Sequence, residues 1–477
     1  MELVSEVGYF IATGLLILGL QRMSSPRTAR GGIVWAGIGM LLAVVVTFGY
    51  PAHSYSLHPE SVVGLADWRL GLIVGALALG GIPAWWSGRR VPITEMPQMV
   101  AIYNGLGGGA AATIAAVEMY SGHAYLTGLT LPIIAVTGAM VGSIAFGGSI
   151  VAFLKLQGWM MSPRFPGRRA VNLILTLAVL ALAVCSIFPS SASPFIRMPV
   201  IWIQTIFFIV AVALGVLITL PIGGADMPVV ISTYNASIGL AVGFEGFVVH
   251  NPAMIIAGTV VGAAGGLLTY LMATAMNRSF GEIWLSEFGD VALATGEGAP
   301  RTMQSMEPSD AAATMAYSES VIVVPGYGLA VAQAQHKLWD LVQLLQNKGV
   351  RVRFAVHPVA GRMPGHMSVL LAEAGVPYDL ISDLEEINGD FPTTDVALVI
   401  GANDVVNPAA RTDKTSPIYG MPILNADQAR QVFVIKRGRG TGFSGVENEL
   451  FFGPNTRMVF GDARSVINQM IQSLREL

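Results

Sequence analysis

Charge and cysteine are the scarce features of this sequence. Only 12% of the 477 residues are charged, against ~25% in ordinary soluble domains. A single cysteine, Cys185, excludes an intrachain disulfide framework and a cysteine-built zinc site. The net charge of −3 leaves no basic surplus for nucleic acid. The hydrophobic share of 53% excludes a disordered, collagen-like or coiled-coil chain. No catalytic triad, cleft-lining carboxylate pair or metal-ligand spacing is apparent. The seven histidines (His53, His58, His123, His250, His336, His357 and His366) avoid the centres of the apolar stretches.

The scarcity is uneven. Residues 1–276 hold 11 of the 27 basic and 8 of the 30 acidic residues. The sequence therefore predicts a membrane domain over 1–276, a linker over 277–318 and a soluble domain over 319–477. A spanning helix needs ~20 largely apolar residues. Nine candidate stretches, the first of them short, lie near Val7–Gln21, Ile33–Tyr50, Leu70–Trp86, Gln98–Val117, Leu129–Leu154, Val171–Phe188, Val200–Leu220, Met227–Phe244 and Pro252–Met276. The first has Glu2 and Glu6 in its flank, which is unlike a signal peptide. Loops after the odd-numbered spans carry nine Lys or Arg, and the others one or two. The positive-inside rule then puts the N-terminus outside and the C-terminal domain in the cytoplasm.

Glycines crowd the fourth and fifth spans, among them Gly105, Gly107, Gly108, Gly109, Gly138, Gly142, Gly147 and Gly148. Small residues let helices approach closely in lipid. An internal echo links Glu95-Met-Pro-Gln-Met-Val-Ala-Ile-Tyr-Asn104 with Asp226-Met-Pro-Val-Val-Ile-Ser-Thr-Tyr-Asn235. The acid and proline fit a helix start. Asn104 and Asn235 fall about two turns inside, where an amide must face a partner or water. The pair points to a wet path between two helices.

The soluble half alternates strands and helices. Strands are expected at Ser320–Val324, Arg351–Val356, Tyr378–Ile381, Asp395–Ile400, Gln431–Ile435 and Met458–Phe460. Helices are expected at Ala332–Lys348, His366–Ala374, Asp383–Ile387 and Ala463–Leu474. This pattern predicts a Rossmann-like, doubly wound parallel sheet. Ligands of such sheets bind at the carboxyl ends of the strands, where the glycine loops of this chain fall. Gly326-x-Gly328 begins a dinucleotide fingerprint but lacks the third glycine. The second strand runs into His357, where an NAD-specific fold places an acid for the ribose. Lys436, Arg437 and Arg439 instead form a basic cluster, and Arg362 lies in another loop. Basic groups suit a 2′-phosphate, which favours NADP(H) over NAD(H). Hydride transfer between nicotinamides needs positioning more than acid–base side chains, consistent with the missing triad.

Five soluble segments carry a family resemblance: Gly326-Tyr-Gly-Leu-Ala-Val-Ala-Gln-Ala-Gln335, His357-Pro-Val-Ala-Gly-Arg-Met-Pro-Gly-His366, Ile400-Gly-Ala-Asn-Asp404, Asn407-Pro-Ala-Ala410 and Gly461-Asp-Ala463. With the two acid-Met-Pro segments, the chain resembles the beta subunit of proton-translocating NAD(P) transhydrogenase over essentially its whole length. The resemblance implies hydride exchange between NADH and NADP+ coupled to proton movement. It implies NADP(H) on this chain, reversed relative to ordinary Rossmann proteins. NAD(H) would sit on a partner alpha subunit, with a dimer of alpha–beta pairs in a bacterial inner membrane. It implies nucleotide contacts from Tyr327 and from the run Val359, Ala360, Gly361, Arg362, Met363, Pro364. A second run is Gly401, Ala402, Asn403, Asp404, Val405, followed by Gly420 and Met421. The glycine-rich loop would add Lys436, Arg437, Gly438, Arg439, Gly440, Thr441, Gly442 and Phe443. Asp462 and Ala463 complete the set, and Lys436 and Arg437 match the 2′-phosphate ligands. Asn104 stands where many members carry a histidine, and Phe443 where a tyrosine is common. The proton path falls to Asn104, Asn235 and Asp226. The sequence leaves one alternative, a transporter or channel gated by a cytosolic NADP(H)-sensing domain.

Overall fold

The computed structural model describes residues 2–23, 26–57, 68–122, 128–160, 167–188, 199–223, 226–277, 302–363, 365–416, 418–438, 440–442 and 444–477. Among the described residues, nine long helices lead the chain. They are α1 (Glu2–Met23), α2 (Pro26–Leu57), α3 (Trp68–Gly88), α4 (Met96–Ser121), α5 (Thr130–Leu156), α6 (Arg168–Ile187), α7 (Val200–Thr219), α8 (Met227–Val248) and α9 (Pro252–Ala275). Among the described residues, eight of them are long and apolar enough to cross a membrane. The echo begins two helices as expected. Glu95 is the N-cap of α4, with Pro97 in the first turn. The carbonyl of Asp226 accepts the first bonds of α8, from Val229 and Val230.

Small residues set the packing of these helices. Gly108 on α4 and Gly142 on α5 meet backbone to backbone, where a Cβ on either would lie 2.9 Å from the other's carbonyl oxygen. Gly239, Gly243 and Gly246 on α8 approach α9 in the same way. This is the close approach that lipid-embedded helices use in place of a hydrophobic driving force. A core cluster of Ala115, Met119, Ala135, Val136, Ala139, Val179, Phe207, Ala211, Leu214 and Val248 joins five helices, α4 to α8.

The soluble domain is a six-stranded sheet, all parallel, in the order β3-β2-β1-β4-β5-β6. The strands are β1 (Ser320–Pro325), β2 (Arg351–Val356), β3 (Ile381–Asp383), β4 (Val396–Ile400), β5 (Gln431–Lys436) and β6 (Thr456–Phe460). Every residue of β4 is buried, as expected of a strand covered on both faces. Ile322, Val324, Ala397, Val399, Val432 and Val434 alternate along the strands and form one face of the core with Phe391 and Phe451.

Three local departures have physical causes. Residues 302–318, expected as linker, are built onto this domain. Helix α10 (Pro308–Ala316) buries Ala311, Ala312 and Met315, and Gln304 to Met306 hydrogen-bond along β6 at Met458. The helix expected at Ala332–Lys348 is two pieces, α11 (Tyr327–Val331) and α12 (Gln335–Asn347). Between them Gln333 adopts φ +48°, which no helix accommodates. The third strand starts at Ile381, because Pro377 introduces a 3-10 turn over Tyr378–Leu380.

Candidate functional site

The soluble site is built at the carboxyl ends of the strands. The sheet order reverses between β1 and β4, which makes that junction the crevice of a doubly wound fold. Here two glycine loops touch. Gly326 donates to the carbonyl of Ile400 at 2.9 Å, and Gly328 to that of Gly401 at 3.0 Å. A Cβ at Gly326 would overlap the backbone of Ala402. Gly401 has φ +65°, so glycine is required both for conformation and for approach.

The loop after β2 folds over this crevice. The guanidinium of Arg362 lies 4.5 Å from the centroid of the Tyr327 ring, a cation–π contact. Burial raises the Tyr327 pKa, and the Arg362 charge partly opposes that. Gly361, at φ +108°, leaves room for the ring of His366. The Arg362 amide donates to His366 Nδ1 at 3.1 Å. His366 starts helix α13 (His366–Glu373) and is fully buried. Burial and then the Arg362 charge lower its pKa. Its Nε2 is buried without a hydrogen-bond partner.

His357 stands where an NAD-specific fold has its ribose acid, but it binds the protein itself. Its Nδ1 accepts the Val359 N–H at 3.2 Å, and its Nε2 donates to the Pro422 carbonyl at 2.7 Å. Only 1% of it is exposed, and burial holds its pKa down to about 4. It ties the 359–363 loop to the turn at Gly420 and Met421. Gly420, at φ +77°, donates to the Ala410 carbonyl, and Met421 packs with Ala410, Ile418 and Ile423.

The loops after β4 and β5 are stitched together. Asp404 accepts the Ser444 N–H at 3.0 Å and the Ser444 hydroxyl at 2.7 Å. Asn448 Nδ2 donates to both the carbonyl and the side-chain oxygen of Asn403. Val405 is buried in the core under them. Lys436 is partly buried. Its ammonium donates to the Gly440 carbonyl and lies 4.5 Å from the Phe451 ring centroid. Burial lowers its pKa, opposed by Asp404. Arg437, Gly438, Gly440 and Thr441 are exposed. Asp462 caps α14 (Ala463–Glu476), accepting the Arg464 N–H at 3.1 Å. Pro364, Arg439 and Phe443 lie outside the described residues.

Of the residues expected at the site, Tyr327 opens α11, Lys436 ends β5, and Arg362 and Arg437 lie in the loops after β2 and β5. The sequence reading did not single out Ser444 and Asn448 or foresee that His357 would tether these loops. The chain supplies close glycine approach, a guanidinium stacked on a tyrosine, an orphaned buried imidazole nitrogen and exposed basic groups. These fit a phosphorylated dinucleotide.

In the membrane helices, Asn104 and Asn235 are each the ninth residue of their helix. Asn104 Nδ2 donates to the Ile231 carbonyl on α8 at 3.3 Å, one turn before Asn235. The two amide positions are therefore neighbours. Asp226 is buried just ahead of α8. The tyrosines of the echo are not equivalent. Tyr103 is 40% exposed and reaches Ser87, whereas Tyr234 is 3% exposed and bonds Thr219 at 2.5 Å. Two acids were missed. Glu118 and Glu245 lie inside α4 and α8, because both helices run past the charge-free stretches that ended at Val117 and Phe244.

Residues 5–473 match the family described as NAD(P) transhydrogenase beta subunit. The chain is 44% identical to NAD(P) transhydrogenase subunit beta of Rhodospirillum rubrum over 482 residues, covering 99% of each. A second relative of the same description, from a named strain of that species, matches to the same extent.

Proposed function

The chain belongs to the NAD(P) transhydrogenase beta-subunit family, and from that premise we propose that it binds NADP(H) in its soluble domain and couples hydride transfer to proton translocation. NAD(H) then occupies an alpha subunit, in a dimer of alpha–beta pairs. The observation that carries the choice of nucleotide is the pairing of a committed His357 with a basic β5 loop. The residue at the ribose-acid position is occupied by Val359 and Pro422. The groups suited to a 2′-phosphate, Lys436 and Arg437, stand at the end of β5.

The nucleotide, once bound, supplies a nicotinamide that takes or gives hydride at C4. The residues of this chain bind and position. Gly326, Gly328 and Gly401 let backbone come close to phosphate. Arg362, stacked on Tyr327, presents a cation on the β2 side. Asp404 holds the β5 loop through Ser444, so a change in that loop reaches the β4 loop directly. In the bundle, Asn104, Asn235 and Asp226 line the proton path, with water between the two amides. An amide does not titrate, but it orients a water chain. The segment between α9 and residue 302 joins the two parts and carries the coupling. The basic residues of the odd loops support a cytoplasmic soluble domain and an outside N-terminus in a bacterial inner membrane.

The test is co-expression with the alpha subunit in sealed vesicles. NADPH-driven reduction of an NAD analogue is expected to change lumen pH in an uncoupler-sensitive way. Transfer without that pH change would remove the pump. Absence of transfer in every subunit combination would instead favour a transporter gated by nucleotide.

A further inference from the structure

The bundle holds one carboxyl group that neither the fold nor the amide path explains. Glu245 sits three residues before the end of α8 and is 0% exposed. Both of its carboxyl oxygens are buried without a hydrogen-bond partner. The facing helix is shaped around it: a Cβ at Gly138 on α5 would overlap Glu245 Oε1. Gly138 is thus a niche for a carboxyl group, beyond the helix–helix packing expected of it. Val248, one turn further on, lies in the core cluster with Ala115, Met119 and Ala135, so the surroundings are apolar.

The neighbouring ionisable groups are few. Glu118, three residues before the end of α4, interacts electrostatically with Glu245. Tyr120 is on the same turn of α4, and Cys185 is near the end of α6. Helix α7 has no ionisable residue, α5 has only Lys155 at its other end, and α9 only Tyr270 near its far end. His250 follows α8 by two residues. Among the described residues of these helices the lysines and arginines are Lys155, Arg168 and Arg169, at the ends of α5 and α6 remote from Gly138. An unpaired carboxylate in such surroundings costs several kcal/mol. The group must therefore be held by a proton or by water, and exchanging the two is what a proton carrier does. Ionisable residues inside a membrane are rare and mark ion routes.

We propose that the Glu245 carboxyl, with Glu118 beside it, is a proton-binding site at the end of α8 opposite Asp226, where protons join or leave the path. It lies ten residues beyond Asn235, about 15 Å along the helix axis. One proton adds to a carboxylate oxygen from water at the Glu118 side, and one leaves toward the water held by Asn104 and Asn235. This rests on the coupled reading above, and its test separates the two.

The intact alpha–beta complex is reconstituted in liposomes. Wild-type complex that transfers hydride without an uncoupler-sensitive pH change would refute the coupled reading itself. Given coupling, infrared difference spectra of the complex across a pH titration should show a protonated-carboxyl C=O band that Glu245→Gln removes and Glu245→Asp retains at a shifted frequency. Glu245→Gln should lower pumping at least tenfold while the NADP(H) dissociation constant stays within twofold. Glu118→Gln should change the pH at which the band appears. A wild-type complex that pumps but shows no titrating carboxyl band would overturn the proposal, whatever the variants' assembly. Wild-type pumping by assembled Glu245→Gln would overturn it too.

Discussion

Acid should loosen the nucleotide loop through one residue, His357. Its two bonds require the neutral ring, since Nδ1 must accept from Val359 while Nε2 donates to Pro422. A second ring proton would set a donor against the Val359 N–H. Burial places the folded pKa at about 4, against 6.5 for the free side chain, and the Pro422 bond opposes this only in part. Between those values the unfolded or opened loop binds the proton and the folded one does not. Stability is therefore full above pH 6.5 and is lost as the pH falls toward 4. The gap corresponds to roughly 3 kcal/mol, or about 1.4 kcal/mol per pH unit inside the window. Hydrogen–deuterium exchange of peptides covering residues 352–363 in the intact complex reads the opening free energy. After correction for intrinsic rates, protection should fall with that slope below pH 6.5. His357→Gln keeps a donor and cannot titrate, so its protection should be nearly flat with pH. Equal slopes in the two proteins would show that the His357 proton does not control the loop.

Three further outcomes are expected. Replacing both Lys436 and Arg437 by alanine removes two charged donors, each worth roughly 1.5–3 kcal/mol. NADPH titration calorimetry should show the dissociation constant raised more than tenfold, and an unchanged value would place the cluster outside the site. Asn235→Leu should abolish the uncoupler-sensitive pH change in vesicles with NADP(H) affinity intact; full pumping would take Asn235 off the path. Gly326→Ala sets a methyl against the Ala402 and Gly401 backbone, an overpacking cost of about 1–3 kcal/mol. The soluble domain should melt earlier and bind NADPH more weakly, and an unshifted melting midpoint would show that the β1 and β4 loops separate without penalty.

The sheet was legible because parallel strands buried on both faces are written as apolar runs, such as Val321–Val324 and Val396–Ile400. The site loops were legible for a related reason. Strand ends that must approach each other or a phosphate need glycine, and Gly326, Gly328 and Gly401 are visible in the chain. What joins those loops was not. The bonds of Asp404 to Ser444 and of His357 to Pro422 link residues 40 and 65 positions apart, and no local pattern encodes them. The break at Gln333 was equally silent, since glutamine is an ordinary helix residue and only its φ betrays it.

Glu118 and Glu245 show a different blindness. A stretch defined by lack of charge ends wherever an acid occurs, so an acid inside a helix is read as the helix boundary. Hydropathy thus hides the charged residues that a membrane helix carries near its ends. Helix length resolves the ambiguity: α4 and α8 continue three residues past their acids. Packing gives the rest, because only the facing glycine distinguishes a carboxyl group kept inside from one reaching for water. Gly138 belonged to a glycine-rich run in which Gly108, Gly142 and Gly147 meet the backbone of a neighbouring helix, and its separate use became visible only when Glu245 was seen opposite it. In a bundle this poor in charge, a glycine facing an acid marks where a carboxyl group is kept inside.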